Sequence, residues 1–231
     1  ITDHKFKSRP CKQYRSGYCP YGSRCRFAHP DDQFLKEDNQ WFNLNYKKTD
    51  DNNIRCIRGD EEDVLERLIR CGDLVGATDI FRSTSESPFP YFDFIDKAWE
   101  QHVENNNDAT FLDNIIDGCG FEILSLDALK KSHNEGEDRH RSELCTLYIR
   151  ENKGLFNLGY VKPPEILARK DIRLTVDYPE DLIVCRAVYE RFKDLAPKIP
   201  LLDVVDYLDK KKQLLKLTSP LCEEGYNTMY L

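Results

Sequence analysis

IRLTVDYPEDLIVCRAVYERFKDL, residues 172–195, reads as a strand, a turn and a helix in direct succession. Pro179 opens the helix, where its fixed φ suits the first helical position and its missing N–H costs nothing. The same alternation runs outward from this stretch. IRCIRG (54–59) reads as a strand. EEDVLERLIRCG (61–72) reads as a helix, with Val64, Leu65, Leu68 and Ile69 on one face, acids at its start and a glycine at its end. ATDIFRST (77–84) reads as a strand, and PYFDFIDKAWEQHVENN (90–106) as a helix introduced by Pro90. FEILSLDALKKSH (121–133) reads as a strand leading into a helix, with Ser125 or Asp127 near the N-cap. RSELCTLYIRENKGLF (141–156) reads as a helix stopped by Gly154, and LLDVVDYLDKKKQLLKL (201–217) as the last helix. Alternating strands and helices predict a layered α/β domain with a mainly parallel sheet over residues 54–231.

The front of the chain is different in kind. The whole sequence has 231 residues, 34 Lys/Arg and 41 Asp/Glu, a net charge of -7. Residues 1–30 hold seven of the basic side chains and one acid, Asp3, which leaves 27 basic and 40 acidic side chains for the rest. A basic head of +6 therefore precedes an acidic body of -13. Such a body repels a polyanion and such a head attracts one. No apolar run approaches the ~20 residues that span a bilayer, and no signal-peptide pattern opens the chain. The expectation is an intracellular protein, in cytoplasm or nucleus, with no membrane partner. The first residue is Ile1 and the single methionine is Met229, which reads as a processed chain, a fragment or joined segments.

Three of nine cysteines cluster in CKQYRSGYCPYGSRCRFAH, residues 11–29. Cys11, Cys19, Cys25 and His29 follow the spacing C-x7-C-x5-C-x3-H. Three thiolates and one imidazole complete a tetrahedral structural zinc shell. A segment this short cannot bury enough apolar surface to fold alone. Zinc supplies the missing free energy, on the order of 10 kcal/mol or more in finger peptides. Ser16-Gly17 and Pro20-Tyr21-Gly22-Ser23 suit tight turns. Tyr14, Tyr18, Tyr21 and Phe27 are interleaved with Lys12, Arg15, Arg24 and Arg26. Rings offer stacking faces worth about 1–3 kcal/mol per base, and cations attract the phosphates. Tyr14 and Tyr18 read equally well as rings packed over the zinc shell. A structural or protein-binding finger is the other reading of the segment. The remaining six cysteines, Cys56, Cys71, Cys119, Cys145, Cys185 and Cys222, are scattered and read as reduced, half-buried apolar side chains. Residues 31–53 are polar, with acids at both ends and Trp41, Phe42 and Tyr46 between, and read as a linker.

Residues 4–30 resemble a CCCH zinc finger of the tristetraprolin type, with KFKSRPC as the charged approach and RFAH as the closing motif. The resemblance implies structural Zn²⁺ on Cys11, Cys19, Cys25 and His29. It also implies single-stranded RNA as the partner, stacked on Tyr21 and Phe27, with Lys12, Arg15, Arg24 and Arg26 along the backbone.

Two stretches in the body lie just past expected strands, where α/β sheets bind ligands: STSESP (83–88) and TVDYPED (175–181). Carboxylates there read either as ligands for Mg²⁺, a hard ion that prefers oxygen, or, for Asp177 and Glu180, as acids favoured by a helix start. RGDEEDVLERL (58–68), TSESPF (84–89), DRHRSELCTLYIRENKGLF (138–156) and RLTVDYPEDLIVCRAVYERF (173–192) resemble the later part of a cytidylyltransferase of the acylneuraminate and spore-coat polysaccharide type. That family is Rossmann-like, and its enzymes move CMP from CTP onto an acidic sugar with release of pyrophosphate. The resemblance implies that Glu86 and Asp177 hold magnesium, with Glu86 standing where the family has the aspartate of G-D-x-P. The family's phosphate-cradling loop of the kind A-R-x-x-S-x-R-L-P-x-K has no counterpart in the 231 residues, where a finger and linker precede the body. The expected architecture is thus a small zinc-stabilised CCCH finger (1–30), a linker (31–53) and an incomplete α/β nucleotidyltransferase-like domain (54–231). The expected function is RNA binding through the finger. The alternative is a CTP-dependent cytidylyltransferase needing Mg²⁺ and a nucleotide-binding half. Exposed sheet edges in such a body would favour an oligomer.

Overall fold

The computed structural model describes residues 47–49 and 54–229, with side chains from 57 to 223. Two compact units divide the chain, residues 1–58 and 59–231. In the first, β1 (Lys47–Thr49) and β2 (Ile54–Cys56) form an antiparallel pair, Lys47 opposite Cys56 and Thr49 opposite Ile54. The strand expected in IRCIRG therefore pairs with the end of the segment read as a linker.

In the second unit α1 (Val64–Val75) follows a capping aspartate. Asp63 Oδ1 accepts from the Glu66 N–H at 2.7 Å, which satisfies one donor left over at the helix start. The helix runs past the glycine expected to end it. Gly72 lies inside α1, where a Cβ would come within 2.7 Å of Leu126 Cδ1, and Gly76 with φ +66° makes the left-handed cap. Next come β3 (Asp79–Arg82), α2 (Ile95–Glu104), β4 (Ala109–Phe111), β5 (Glu122–Ser125) and α3 (Leu126–Glu135). Ser125 is the α3 cap, its hydroxyl accepting from Ala128 N–H at 3.1 Å. The short α4 (Leu147–Glu151), β6 (Leu158–Tyr160), α5 (Pro179–Phe192), α6 (Leu201–Lys210) and α7 (Lys212–Met229) complete the unit. The last helix expected from sequence is two helices, broken at Lys211.

The sheet order is β3-β5-β4-β6. It is mixed, and the expectation of a mainly parallel sheet is corrected: β5 is antiparallel to both β3 and β4, and only β4 and β6 pair in parallel. The cause is the link between β4 and β5. It contains no crossover helix, and the Leu112 N–H bonds Phe121 O at 3.1 Å, so the chain turns straight back beside β4. The strand expected at the start of IRLTVDYPEDLIVCRAVYERFKDL is absent as well. Residues 172–176 form no strand. They touch the sheet region through one isolated parallel bridge, Asp117 to Arg173. Leu174 N–H bonds Asp117 O at 2.8 Å and Val176 N–H bonds Glu86 O at 2.9 Å. Both acceptors lie in turns, which offer single carbonyls in place of a ladder.

Cross-strand neighbours sort the core into two layers. Ile80, Leu124 and Ala109 stand opposite one another and pack with Leu65 of α1, Leu129 of α3, Cys145 of the turn before α4 and Ile149 of α4. Phe81 and Ile123 face the other way, toward Ala98, Ile115, Val188 and Val205 in the larger cluster with α2, α5 and α6. Helices thus cover both faces, as period-two side-chain alternation requires. No helix among the described residues is long and apolar enough to cross a membrane.

Candidate active site at the strand ends

β3, β4 and β6 run in one direction, and their carboxyl ends gather the polar groups. Arg82 ends β3, Asp113 follows β4, and Glu122 begins the reversed β5 beside them. Glu122 is the centre of this group. Its Oε2 accepts from Arg82 Nη1 at 2.8 Å, and its Oε1 accepts from Arg150 Nη2 at 3.0 Å and from Thr146 Oγ1 at 2.9 Å. Arg150 also forks onto Asp113 at 2.8 and 3.1 Å and lies 3.9 Å from the Phe111 ring centroid. Burial pushes the Glu122 carboxyl up, but Arg82 and Arg150 outweigh it and hold it below its ordinary value of 4.5. Two cations and two carboxylates here are mutually paired.

The expected metal residues sit in two turns that the backbone joins. Glu86 lies in the turn after β3, closed by Ser87 N–H to Thr84 O at 3.2 Å and by the Thr84 and Ser87 hydroxyls at 2.7 Å. Asp177 lies two residues before Pro179. The bond from Val176 to Glu86 O brings the two turns side by side. Asp177 is half-exposed, and its Oδ2 accepts from Arg173 Nη2 at 2.8 Å. The pair fits a hard divalent cation in donor chemistry: one carboxylate from each of two adjacent turns, at the solvent edge. When bound, magnesium would neutralise phosphate charge there. The helix-start reading holds for Glu180, which stands with Asp181 in the first turn of α5, and not for Asp177, which precedes the helix. Asp181 Oδ2 also accepts the N–H groups of Asp177 and Tyr178, each at 3.2 Å.

Two arginine-centred groups had no place in the expected site, although Arg82 borders a quoted motif and Arg150 and Arg173 lie within others. Their carboxylate partners Asp113 and Asp117 stand in LDNIIDG (112–118), which carries no periodic or metal-ligand signal. The cysteine expectation agrees with the structure for Cys119, Cys145, Cys185 and Cys222, all buried and reduced. Burial pushes the Cys145 and Cys185 thiols up to about 12, so neither is a thiolate at neutral pH. Cys11, Cys19, Cys25, His29, Lys12, Arg15, Tyr21, Arg24, Arg26 and Phe27 lie outside the described residues.

Carboxylates held low by arginines make stability pH-dependent in one direction. Glu122 lies below its ordinary value, and Arg139, with His140, holds Glu151 down to about 2. Depressed carboxyls contribute stability above the ordinary value of 4.5, and it is lost as pH falls through their folded values. Asp117, pushed up by burial against Arg173, changes in the opposite sense. Urea unfolding midpoints are therefore expected to fall between pH 5 and pH 3, roughly across the carboxylate range. Glu122→Gln is expected to flatten that fall. Equal slopes in the two proteins would contradict the assignment.

Comparison with known proteins matches both parts. The family model for the zinc finger of C-x8-C-x5-C-x3-H type (and similar) matches residues 6–31. The first interval here, seven residues from Cys11 to Cys19, is one shorter than that description. The body is similar to the uncharacterized protein MJ1063 of Methanocaldococcus jannaschii, 33% identical over 173 residues, covering 75% of this chain and 70% of the relative. It is also similar to the spore coat polysaccharide biosynthesis protein SpsF of Bacillus subtilis, 29% identical over 60% of this chain and 58% of that protein. The fold matches the structure of a cytidylyltransferase from Leptospira borgpetersenii with a TM-score of 0.62 at 20% identity, covering 69% of this chain and 67% of that one. The chain belongs to the family of MJ1063, its body has the fold of the Leptospira cytidylyltransferase, and the residues that match the zinc-finger model precede the shared domain. It spans 58% of SpsF, so that protein's length extends well beyond the shared region.

Proposed function

We propose that the chain is a zinc-dependent, single-stranded-RNA-binding protein whose finger does the binding and whose cytidylyltransferase-like body is degenerate or incomplete as an enzyme. The observation that carries this reading is the finger-family match over residues 6–31, with four ligand residues present and rings alternating with cations between them. Zn²⁺ on Cys11, Cys19, Cys25 and His29 folds the segment. Tyr21 and Phe27 stack bases, and Lys12, Arg15, Arg24 and Arg26 meet phosphates. In the body, Arg82 and Arg150 are already paired with Glu122 and Asp113, which leaves these two cations without an unpaired charge for a triphosphate. The test is fluorescence anisotropy of the zinc-loaded chain with a labelled single-stranded RNA at low salt. Phe27→Ala is expected to weaken binding by about 1–3 kcal/mol, the worth of one stacked base. Wild-type chain that holds zinc and shows no affinity for the RNA overturns the proposal.

A second reading, CMP transfer from CTP to an acidic sugar, is favoured by one observation: the Glu86 and Asp177 turns are hydrogen-bonded side by side. Here Glu86 and Asp177 hold the Mg²⁺. Pyrophosphate release from CTP and an acidic sugar by this chain would put the second reading first.

A further inference from the structure

One buried ionic cluster lies directly beneath the two joined turns. Arg173 is among the largest fully enclosed side chains, 2% exposed. Its Nη1 donates to Asp117 Oδ2 at 2.6 Å. Its Nε and Nη2 fork onto Asp181 at 3.1 Å each, and Nη2 also donates to Asp177 Oδ2 at 2.8 Å. Asp117 and Asp181 are buried, while Asp177 is 46% exposed. Of the three carboxylates on the guanidinium, two point inward and one reaches solvent.

The cluster is also tied to the backbone on every side. Asp181 Oδ2 accepts the Asp177 and Tyr178 N–H groups, so the residue that anchors Arg173 also closes the turn bearing Asp177. Asp117 O accepts from Leu174 N–H, and Gly118, at φ +85°, leaves the room for that approach, since a Cβ there would meet Leu174 O at 2.6 Å. A planar guanidinium with five donors in fixed directions sets the bearing of each carboxylate it touches. Only one oxygen of Asp177 is taken by Arg173; among the described residues no side-chain hydrogen bond engages the other.

We propose that Arg173 is a positioning residue: anchored by Asp117 and Asp181, it aims the free side of the Asp177 carboxylate at a divalent cation shared with Glu86, without touching the cation itself. The inference rests on the second reading above, in which Glu86 and Asp177 hold the metal. Lysine cannot replace the arginine, because a point ammonium cannot span three carboxylates in a plane. Asp117 acts at one remove, through the guanidinium.

The experiment uses the full zinc-loaded chain and Mn²⁺ alone as probe, followed by electron paramagnetic resonance of the free ion. Binding is measured at a temperature where thermal melts show each variant folded. The wild type is expected to hold one Mn²⁺ at a site that Asp177→Asn removes. Arg173→Lys is expected to weaken that site at least tenfold while the melt stays cooperative, and Asp117→Asn to weaken it by a smaller factor. If Arg173→Lys does not fold, Asp117→Asn carries the same test. A folded Arg173→Lys, or in its place Asp117→Asn, that binds Mn²⁺ within twofold of the wild type overturns the positioning role and leaves the metal reading standing. Absence of any Asp177-dependent Mn²⁺ site in the wild type overturns the metal reading, and the positioning role with it.

Discussion

Arg173→Met is expected to destabilise the body by about 3–5 kcal/mol, the range for removing one partner of a buried ion pair. Methionine fills much of the arginine's volume, so the cavity left is small and the loss is electrostatic. Asp117 and Asp181 are both buried and would lose the one cation that is paired with them among the described residues. Asp181 would keep two backbone donors, and Asp117 would keep little beyond its own turn. The damage reaches beyond the ion pairs, because Asp117 O and Asp181 also fix the run from Leu174 to Tyr178. Domain stabilities of roughly 5–15 kcal/mol make such a loss easy to see in a urea titration. A shift under about 1 kcal/mol, the scale of an exposed pair, would mean that the cluster is solvated.

The second large effect concerns the head of the chain. Cys25→Ser is expected to abolish structural zinc binding, since a neutral hydroxyl replaces one of three thiolates in the proposed shell. Metal binding in finger peptides is worth on the order of 10 kcal/mol, nearly all of it folding free energy, so a three-ligand remnant should stay unfolded. Native mass spectrometry gives the readout directly: one zinc per wild-type chain and none in the variant at micromolar free zinc. A variant that keeps a full equivalent of zinc would place the fourth ligand elsewhere.

Elements with local instructions were legible in the sequence. Pro179 opens α5 as expected, Ser125 is the one of two candidates that caps α3, and Asp63, among the acids expected at the start of α1, is its cap. Of the apolar face expected for α1, Leu65, Leu68 and Ile69 pack in the core, while Gly72 is a packing notch under Leu126 rather than a stop. Illegible features depended on distant partners. β4 and β6 are three residues long, too short to show a period, and they exist because Ala109–Phe111 and Leu158–Tyr160 pair with each other. Missing β4 hid the direct return into β5, and with it the mixed sheet. The alternation in IRLTV resembles a strand, but Arg173 lies opposite the Asp117 turn and buries its charge there. The candidate site shows the same division. Glu86 and Asp177 are expected through motif resemblance alone, whereas Asp113, Asp117 and Glu122 are defined by arginines 28–56 positions away.

The central claim is that a zinc-folded head binds single-stranded RNA ahead of a body with a cytidylyltransferase-like fold. Its most direct test is the RNA affinity of the full chain, measured across a salt series with zinc bound and again after chelation. Affinity is expected to fall steeply with salt, as phosphate contacts require, and to disappear when zinc is removed. Binding of equal strength with and without zinc, or none in either state, would contradict it.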